Sequence, residues 1–137
     1  MTHLKRLKAP KSWPISQRKG IRFIARPLPG PHKKEEGITL NVILKEILHY
    51  SLTTRETKTI LNKGSVLVNN TERRSHKFPV GLLDTITIRE LNEYYRLISK
   101  NGRFALEKIG KEESENKLVK IRSKTILKKN KTQLNFH

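Results

Sequence analysis

The chain has 137 residues, carries 30 Lys+Arg against 12 Asp+Glu for a net charge of +18, and contains no cysteine. This length suits one modest domain with extensions. Disulfides and cysteine-based zinc sites are excluded, and no apolar run approaches the roughly 18 residues of a membrane span. A small domain usually carries a net charge of magnitude about 2–8, so the excess points to a polyanionic partner. The N-terminus has charge but no apolar stretch of the kind a secretory signal needs. The expectation is a soluble, intracellular protein.

The charge is unevenly placed. Residues 1–34 hold 10 Lys+Arg and no acid, residues 35–95 hold 8 of each, and residues 96–137 hold 12 Lys+Arg and 4 acids. A neutral centre between cationic flanks suggests arms that meet a partner whose charge they need.

Residues 1–37 read as a basic, proline-containing arm. Pro10, Pro14, Pro27, Pro29 and Pro31 block long helices. Lys5, Arg6, Lys8, Lys11, Arg18, Lys19, Arg22, Arg26, His32 and Lys33 make it a candidate RNA-binding segment that orders on its partner. Trp13, the only tryptophan, sits between Ser12 and Pro14. It can anchor the arm on the domain, the commoner fate of a lone indole, or stack on a nucleobase. Gly30-Pro31-His32 marks a turn.

The periodicity predicts a helix over 38–50, with Leu40, Ile43, Leu44, Ile47 and Leu48 on one face. Glu35 and Glu36 suit its N-terminal dipole better than a catalytic pair, because adjacent side chains diverge. A second helix is predicted from Thr53, where Glu56 three residues on completes a capping box. Thr57, Ile60 and Leu61 face inward, Arg55, Lys58 and Asn62 face outward, and Gly64 stops the helix. Arg55 and Lys58 are either a solvated helix face or phosphate contacts. Ser65–Val68 is β-prone, and Asn69-Asn70 suits a tight turn.

Thr71 to Val80 reads as a loop with Arg73, Arg74, His76 and Lys77, of which both arginines and Lys77 are candidate RNA contacts. Thr85–Ile88 alternates as a strand with Ile86 and Ile88 inward. These elements predict an α+β module over 38–93. Residues 94–137 read as the start of a β-rich region. Its strands are expected at 95–98, 104–109, 118–121 and 133–136, with a hairpin turn at Asn101-Gly102, a helical turn at 112–116 and a loop at 124–131.

No chemistry-bearing motif emerges. His3, His32, His49, His76 and His137 are scattered without ligand spacing, and no nucleophile elbow, phosphate loop or dinucleotide fingerprint is found. Charge and small modules together are the footprint of a nucleic-acid binder.

Residues 54–88 resemble the S-four RNA-binding domain. The matching residues are Thr54-Arg55, Ile60-Leu61, Gly64, Val66, Val68-Asn69 and Asp84-x-Ile86, with Leu83-Asp84 where a Gly-Asp is usual. The flanks are similar to the archaeal/eukaryotic small-subunit ribosomal protein S-four-e family. They are His3-Leu4-Lys5-Arg6, Ala9-Pro10-Lys11-Ser12-Trp13, Arg26-Pro27, Gly30-Pro31-His32-Lys33, Phe78 to Asp84 and Gly102-Arg103-Phe104. The short start before His3 resembles the archaeal type.

This resemblance implies a structural component of the small ribosomal subunit, bound to small-subunit rRNA and neighbouring ribosomal proteins in the cytoplasm. It implies no catalysis, cofactor, metal, membrane or small-molecule substrate. The rivals are an RNA-modifying enzyme that docks through this module, a non-ribosomal RNA-binding protein, and a DNA-compacting architectural protein. Family members continue into further β structure. Leu118, Val119, Ile121, Ile126, Leu127, Leu134 and Phe136 therefore read as a sheet begun but not closed. The expectation is that the polypeptide extends past His137 or that a neighbour covers this edge.

Overall fold

The computed structural model describes residues 3–136; Met1, Thr2 and His137, one of the five scattered histidines, lie outside the described residues. Helices and strands are mixed, as the α+β reading requires. The arm forms structure at once. Strand β1 (Leu4–Lys5) pairs antiparallel with β2 (Phe23–Ile24), Leu4 opposite Ile24. A 3-10 turn at Arg6–Lys8 follows β1. The loop between the two strands is closed by polar contacts. Arg18 donates to the Ala9 and Pro10 carbonyls at 3.0 and 2.9 Å, and Arg6 donates to the Gln17 carbonyl.

Strand β3 (Gly37–Thr39) leads directly into helix α1 (Leu40–Val42), which continues as a π turn over Ile43–Ile47. This corrects the expected 38–50 helix. The apolar face is where the periodicity put it, with Leu40, Ile43 and Leu44 buried and Ile47 and Leu48 packed beside them. Gly37 to Thr39, however, are drawn into pairing with another strand. Thr39 caps α1 by accepting from the Val42 amide. At the far end the Leu48 amide reaches the Ile43 carbonyl at 2.9 Å, the wider closure of a π turn.

Helix α2 (Thr54–Asn62) begins at the Thr53–Glu56 capping box and stops at Gly64, φ +76°. Its inner side is Thr57, Ile60 and Leu61, and Thr57 shares a hydrogen bond of 2.7 Å with Ser51. Strand β4 (Val66–Val68) turns through Asn69 and Asn70, both left-handed, into β5 (Thr71–Glu72). Strand β6 (Pro79–Gly81) pairs with β3, Ile38 opposite Val80. The segment read as one loop from 71 to 80 therefore contains two strands, because Gly37–Thr39 supplies β6 with a partner that local sequence does not reveal.

Strand β7 (Thr85–Ile88), β8 (Glu93–Lys100) and β9 (Arg103–Lys108) complete an antiparallel five-stranded sheet in the order β5-β4-β7-β8-β9. Asn101 and Gly102, both at positive φ, make the β8–β9 turn. The sheet runs across the expected boundary at 93–94. Tyr50, after the first helix, is tied to it by donating to Glu93, which also accepts from Tyr95 at 2.8 Å and Lys108 at 3.0 Å.

Helix α3 (Lys111–Ser114) is the expected helical turn. Strands β10 (Ile121–Ile126) and β11 (Thr132–Phe136) form a separate antiparallel hairpin. Here the sequence reading is corrected twice. Residues 118–120 are not a strand, and Lys124 to Ile126 are strand rather than loop. The β-prone Ser-Lys-Thr-Ile run finds its partner in 132–135, with left-handed Lys129 and Asn130 in the turn. Ser123 and Thr125 share one face with Asn135, which donates to both hydroxyls at 3.0 and 3.1 Å. Ile121, Ile126, Leu134 and Phe136 are exposed.

One hydrophobic core joins Leu4, Ala9 and Trp13 of the arm to Ile38, Leu40, Ile43, Leu44, Leu61, Val66, Val68, Val80, Ile86, Ile88, Leu97 and Phe104. The arm is thus part of the fold, which corrects the expectation of a segment without structure of its own. Trp13 decides this: it is 1% exposed, and its indole N–H donates to the Gly37 carbonyl at 2.9 Å. Buried Arg6 adds an ion pair with Glu46 at 2.8 Å. We predict that Trp13→Ala costs about 3–5 kcal/mol of unfolding free energy, the usual result of emptying a large buried aromatic site. Urea titration measures this, and a loss below about 0.5 kcal/mol, the scale of a surface substitution, would show that the arm does not belong to the core.

Candidate nucleic-acid interface

The site is built around a buried carboxylate held by four protein donors. After β6 the chain turns through Leu82 and left-handed Leu83, φ +63°, and returns the Asp84 side chain to the turn's own start. Asp84 is 1% exposed. Its Oδ2 accepts from the Gly81 amide and from His32 Nε2, both at 2.8 Å. Its Oδ1 accepts from Asn69 Nδ2 at 2.8 Å and from Lys117 Nζ at 2.5 Å. Burial pushes the Asp84 carboxyl up. The bonds from His32, Asn69, Lys117 and the Gly81 amide together outweigh it and hold the group well below the usual carboxylate range.

Each donor brings a different segment. His32 comes from the arm, Asn69 from the β4–β5 turn, Gly81 from β6 and Lys117 from the segment after α3. Asn69 also accepts, at Oδ1, from the Thr85 amide at 3.0 Å. Gly81 is required for the His32 contact, because a Cβ at that position would lie 2.2–2.4 Å from atoms of the imidazole ring. The arm then runs past the loop that ends at β6. The Leu28 amide donates to the Lys77 carbonyl at 3.1 Å, while the Leu40 and Asn41 amides bind the Phe78 and His76 carbonyls at 3.1 and 2.9 Å. Residues 76–78 are therefore held from both sides.

This scaffold sorts the predicted cations. Arg55 and Lys58 are exposed on α2, the outward side that periodicity assigned them. Lys58 is near enough to the 76–77 segment to act on it. Burial lowers the His76 pKa, and the Lys58 and Lys77 charges lower it further. Lys58 and Lys77 thus both act on His76, and Arg55 shares the exposed side of α2 with Lys58. Arg73 is half-buried and lays its guanidinium over the Phe78 ring at 4.4 Å, with its Nε lacking a hydrogen-bond partner. Arg74 pairs with Glu72 at 2.7 Å.

On the arm, Lys5, Lys8, Lys11, Lys19, Arg22, Arg26 and Lys33 are exposed. Two candidates are corrected. Trp13 is buried against protein and presents no face for a base to stack on, and Arg6 is buried with Glu46. Arg18 and His32 are half-buried and engaged within the fold, Arg18 on carbonyls and His32 on Asp84. Phe23, which the sequence reading does not single out, is 46% exposed with the His3 ring 5.3 Å away and the Arg22 guanidinium 5.3 Å over its face. Among the described residues no cluster of three metal-ligating side chains occurs, and no helix is long and apolar enough to cross a membrane.

Two family models match the chain: the RS4NT (NUC023) domain over residues 2–35 and Ribosomal family S4e over residues 91–137. The chain is similar to the small ribosomal subunit protein eS4 of Caldivirga maquilingensis, 43% identical over 138 residues, covering 100% of this chain and 58% of the relative. Its similarity to the protein of the same name from Methanosphaera stadtmanae is 44% over 135 residues, covering 98% of this chain and 56% of the relative. Among solved structures, the 30S ribosomal protein S4e of Thermoplasma acidophilum superposes with a TM-score of 0.60 at 38% identity, covering 74% of this chain and 53% of that one. The chain spans a little over half the length of these relatives.

The Asp84 cluster has a defined pH signature. Its folded-state pKa is depressed below the unfolded value of about 3.9, so its stabilisation is present above that value and is lost as pH falls below it. We predict that Asp84→Asn, which turns an amide N–H2 toward donors, costs about 1–3 kcal/mol at neutral pH. Unfolding free energies measured from pH 7 to pH 2 should converge for the two proteins toward the acid end. A constant difference across that range would exclude the carboxylate's charge as the cause.

Proposed function

The chain belongs to ribosomal family S4e, and on that premise we propose that it is a structural constituent of the small ribosomal subunit that binds small-subunit rRNA. The observation that carries this reading is the pair of exposed cations on α2, Arg55 and Lys58, with half-buried Lys77 acting on the same His76 as Lys58, on a body whose net charge is +18. Lysine and arginine bind folded RNA by neutralising phosphates and releasing condensed counterions. A rigid α+β platform holds those charges at fixed spacing, which favours recognition of RNA shape over base sequence.

In this reading residues 1–37 act as a basic arm, residues 38–93 as the RNA-binding module and residues 94–137 as the start of a β-rich region. Lys5, Lys8, Lys11, Lys19, Arg22, Arg26 and Lys33 extend the cationic surface along the arm, and Arg73 and Arg74 border it on the module. Arg18 and His32 contribute through the fold they hold. The partners are small-subunit rRNA and neighbouring small-subunit proteins, and the place of work is the cytoplasmic ribosome. We assign the chain no catalytic step and no cofactor.

Changing Arg55 and Lys58 together to Ala should weaken binding to a small-subunit rRNA transcript. The slope of log affinity against log salt should become shallower by about one unit for each phosphate no longer neutralised. The melting temperature should barely move, since exposed charges contribute only about 0–1 kcal/mol. Unchanged affinity with a large loss of stability would turn this helix face away from RNA. Equal affinity of the parent protein for duplex DNA and for the transcript would favour a general nucleic-acid compactor instead.

A further inference from the structure

A groove of about 730 Å³ lies between arm residues 24–34, His3, Leu4 and the loop residue Lys77. That volume falls within the roughly 300–1,000 Å³ of clefts that enclose small organic groups. Its lining divides by chemistry. Leu4 is buried and Ile24, Pro27 and Leu28 are half-buried, which makes an apolar floor. Arg26 and Lys33 are exposed at the rim, and Lys34 and Lys77 line it as well. No Asp or Glu is among the lining residues.

The walls are fixed before any ligand arrives. Leu4 pairs with Ile24, the Leu28 amide is bound to the Lys77 carbonyl, and His32 is bound to Asp84. Gly30 lies so close to β6 that a Cβ there would be 2.9 Å from the Pro79 ring. Prolines 27, 29 and 31 restrict the backbone between these anchors. A preformed cleft asks little ordering of its own residues on binding.

A phosphate alone would need the cations and not the apolar floor, and an RNA duplex keeps its bases stacked inside. A single unpaired nucleotide uses both parts, with its base on the apolar lining and its flanking phosphates on the lysines and arginine. We propose that this groove holds one unpaired nucleotide of an RNA strand, as a site distinct from Arg55 and Lys58 of α2 and joined to the loop before β6 through Lys77. The proposal rests on the rRNA-binding reading above and adds to it the kind of RNA feature that is held.

The test uses the full 137-residue chain with two probes: a fluorescent oligouridylate about ten nucleotides long, enough to cover one single-strand site, and a small-subunit rRNA duplex stem of equal length. Ala25, which also lines the groove, is changed to Trp, a substitution that fills space without altering charge. Affinity for the oligouridylate should fall about tenfold, with the duplex affinity within about twofold, because only the single strand presents a free base. The Lys33→Ala, Lys34→Ala double variant guards against misfolding of the first. It should weaken both probes, the oligouridylate by about fivefold more, because counterion release is shared but the groove is not. The Leu28 and His32 amide resonances of the parent protein should shift on adding the oligouridylate. Equal losses for both probes, or unshifted resonances at Leu28 and His32, overturn the groove assignment and leave rRNA binding standing. A parent protein that binds neither probe overturns the rRNA-binding reading itself.

Discussion

Asp84 is the constraint on which the arrangement depends. A carboxylate removed from water must be matched by donors, or the charged form is expelled by its desolvation cost. Here four donors from four segments meet two oxygens: His32, Asn69, the Gly81 amide and Lys117. Satisfying one charge therefore fixes the arm, the β4–β5 turn, the end of β6 and the segment after α3 relative to one another. The position is suited to this by its backbone. Leu83 in the left-handed region and Gly81 under the imidazole ring bring the carboxylate and its partners within reach.

That tethering changes how the charge is delivered. A free basic arm would lose conformational freedom at the moment of binding, which opposes affinity. Here much of that ordering is done by the fold itself. Trp13 enters the core, Arg6 meets Glu46, and Arg18 ties its own loop together through the Ala9 and Pro10 carbonyls. Part of the cationic excess is thereby used internally, and the exposed remainder is displayed at fixed positions. The electrostatics of the surface follow from which arginines the interior has claimed.

Local signals in the sequence were read well where they are self-contained. The Thr53–Glu56 box, the Gly64 stop, the Asn69-Asn70 and Asn101-Gly102 turns and the inward Ile86 and Ile88 all depend on near neighbours, and each stands in the structure as its pattern indicates. The failures involve strand partners that no local signal marked, one pair distant in sequence and one close by. Gly37–Thr39 and Pro79–Gly81 become strands only because they find each other across the intervening helices, and Ile121–Ile126 because Thr132–Phe136 lies opposite. Charge alone could not tell exposed Lys11 from buried Arg6, since burial of an arginine is decided by a carboxylate elsewhere, at Glu46. Likewise the Asp84-x-Ile86 pattern drew attention to the carboxylate without revealing its donors.

The central claim is that the arm is folded onto the module before RNA is present. Hydrogen exchange at the Trp13 indole N–H, followed by NMR in the RNA-free protein, tests it most directly. The account predicts slow exchange, comparable with the Ile86 and Leu97 amides of the central sheet, because the indole is buried and bonded to the Gly37 carbonyl. Exchange at the rate of an unstructured peptide, with the sheet amides still protected, would contradict it.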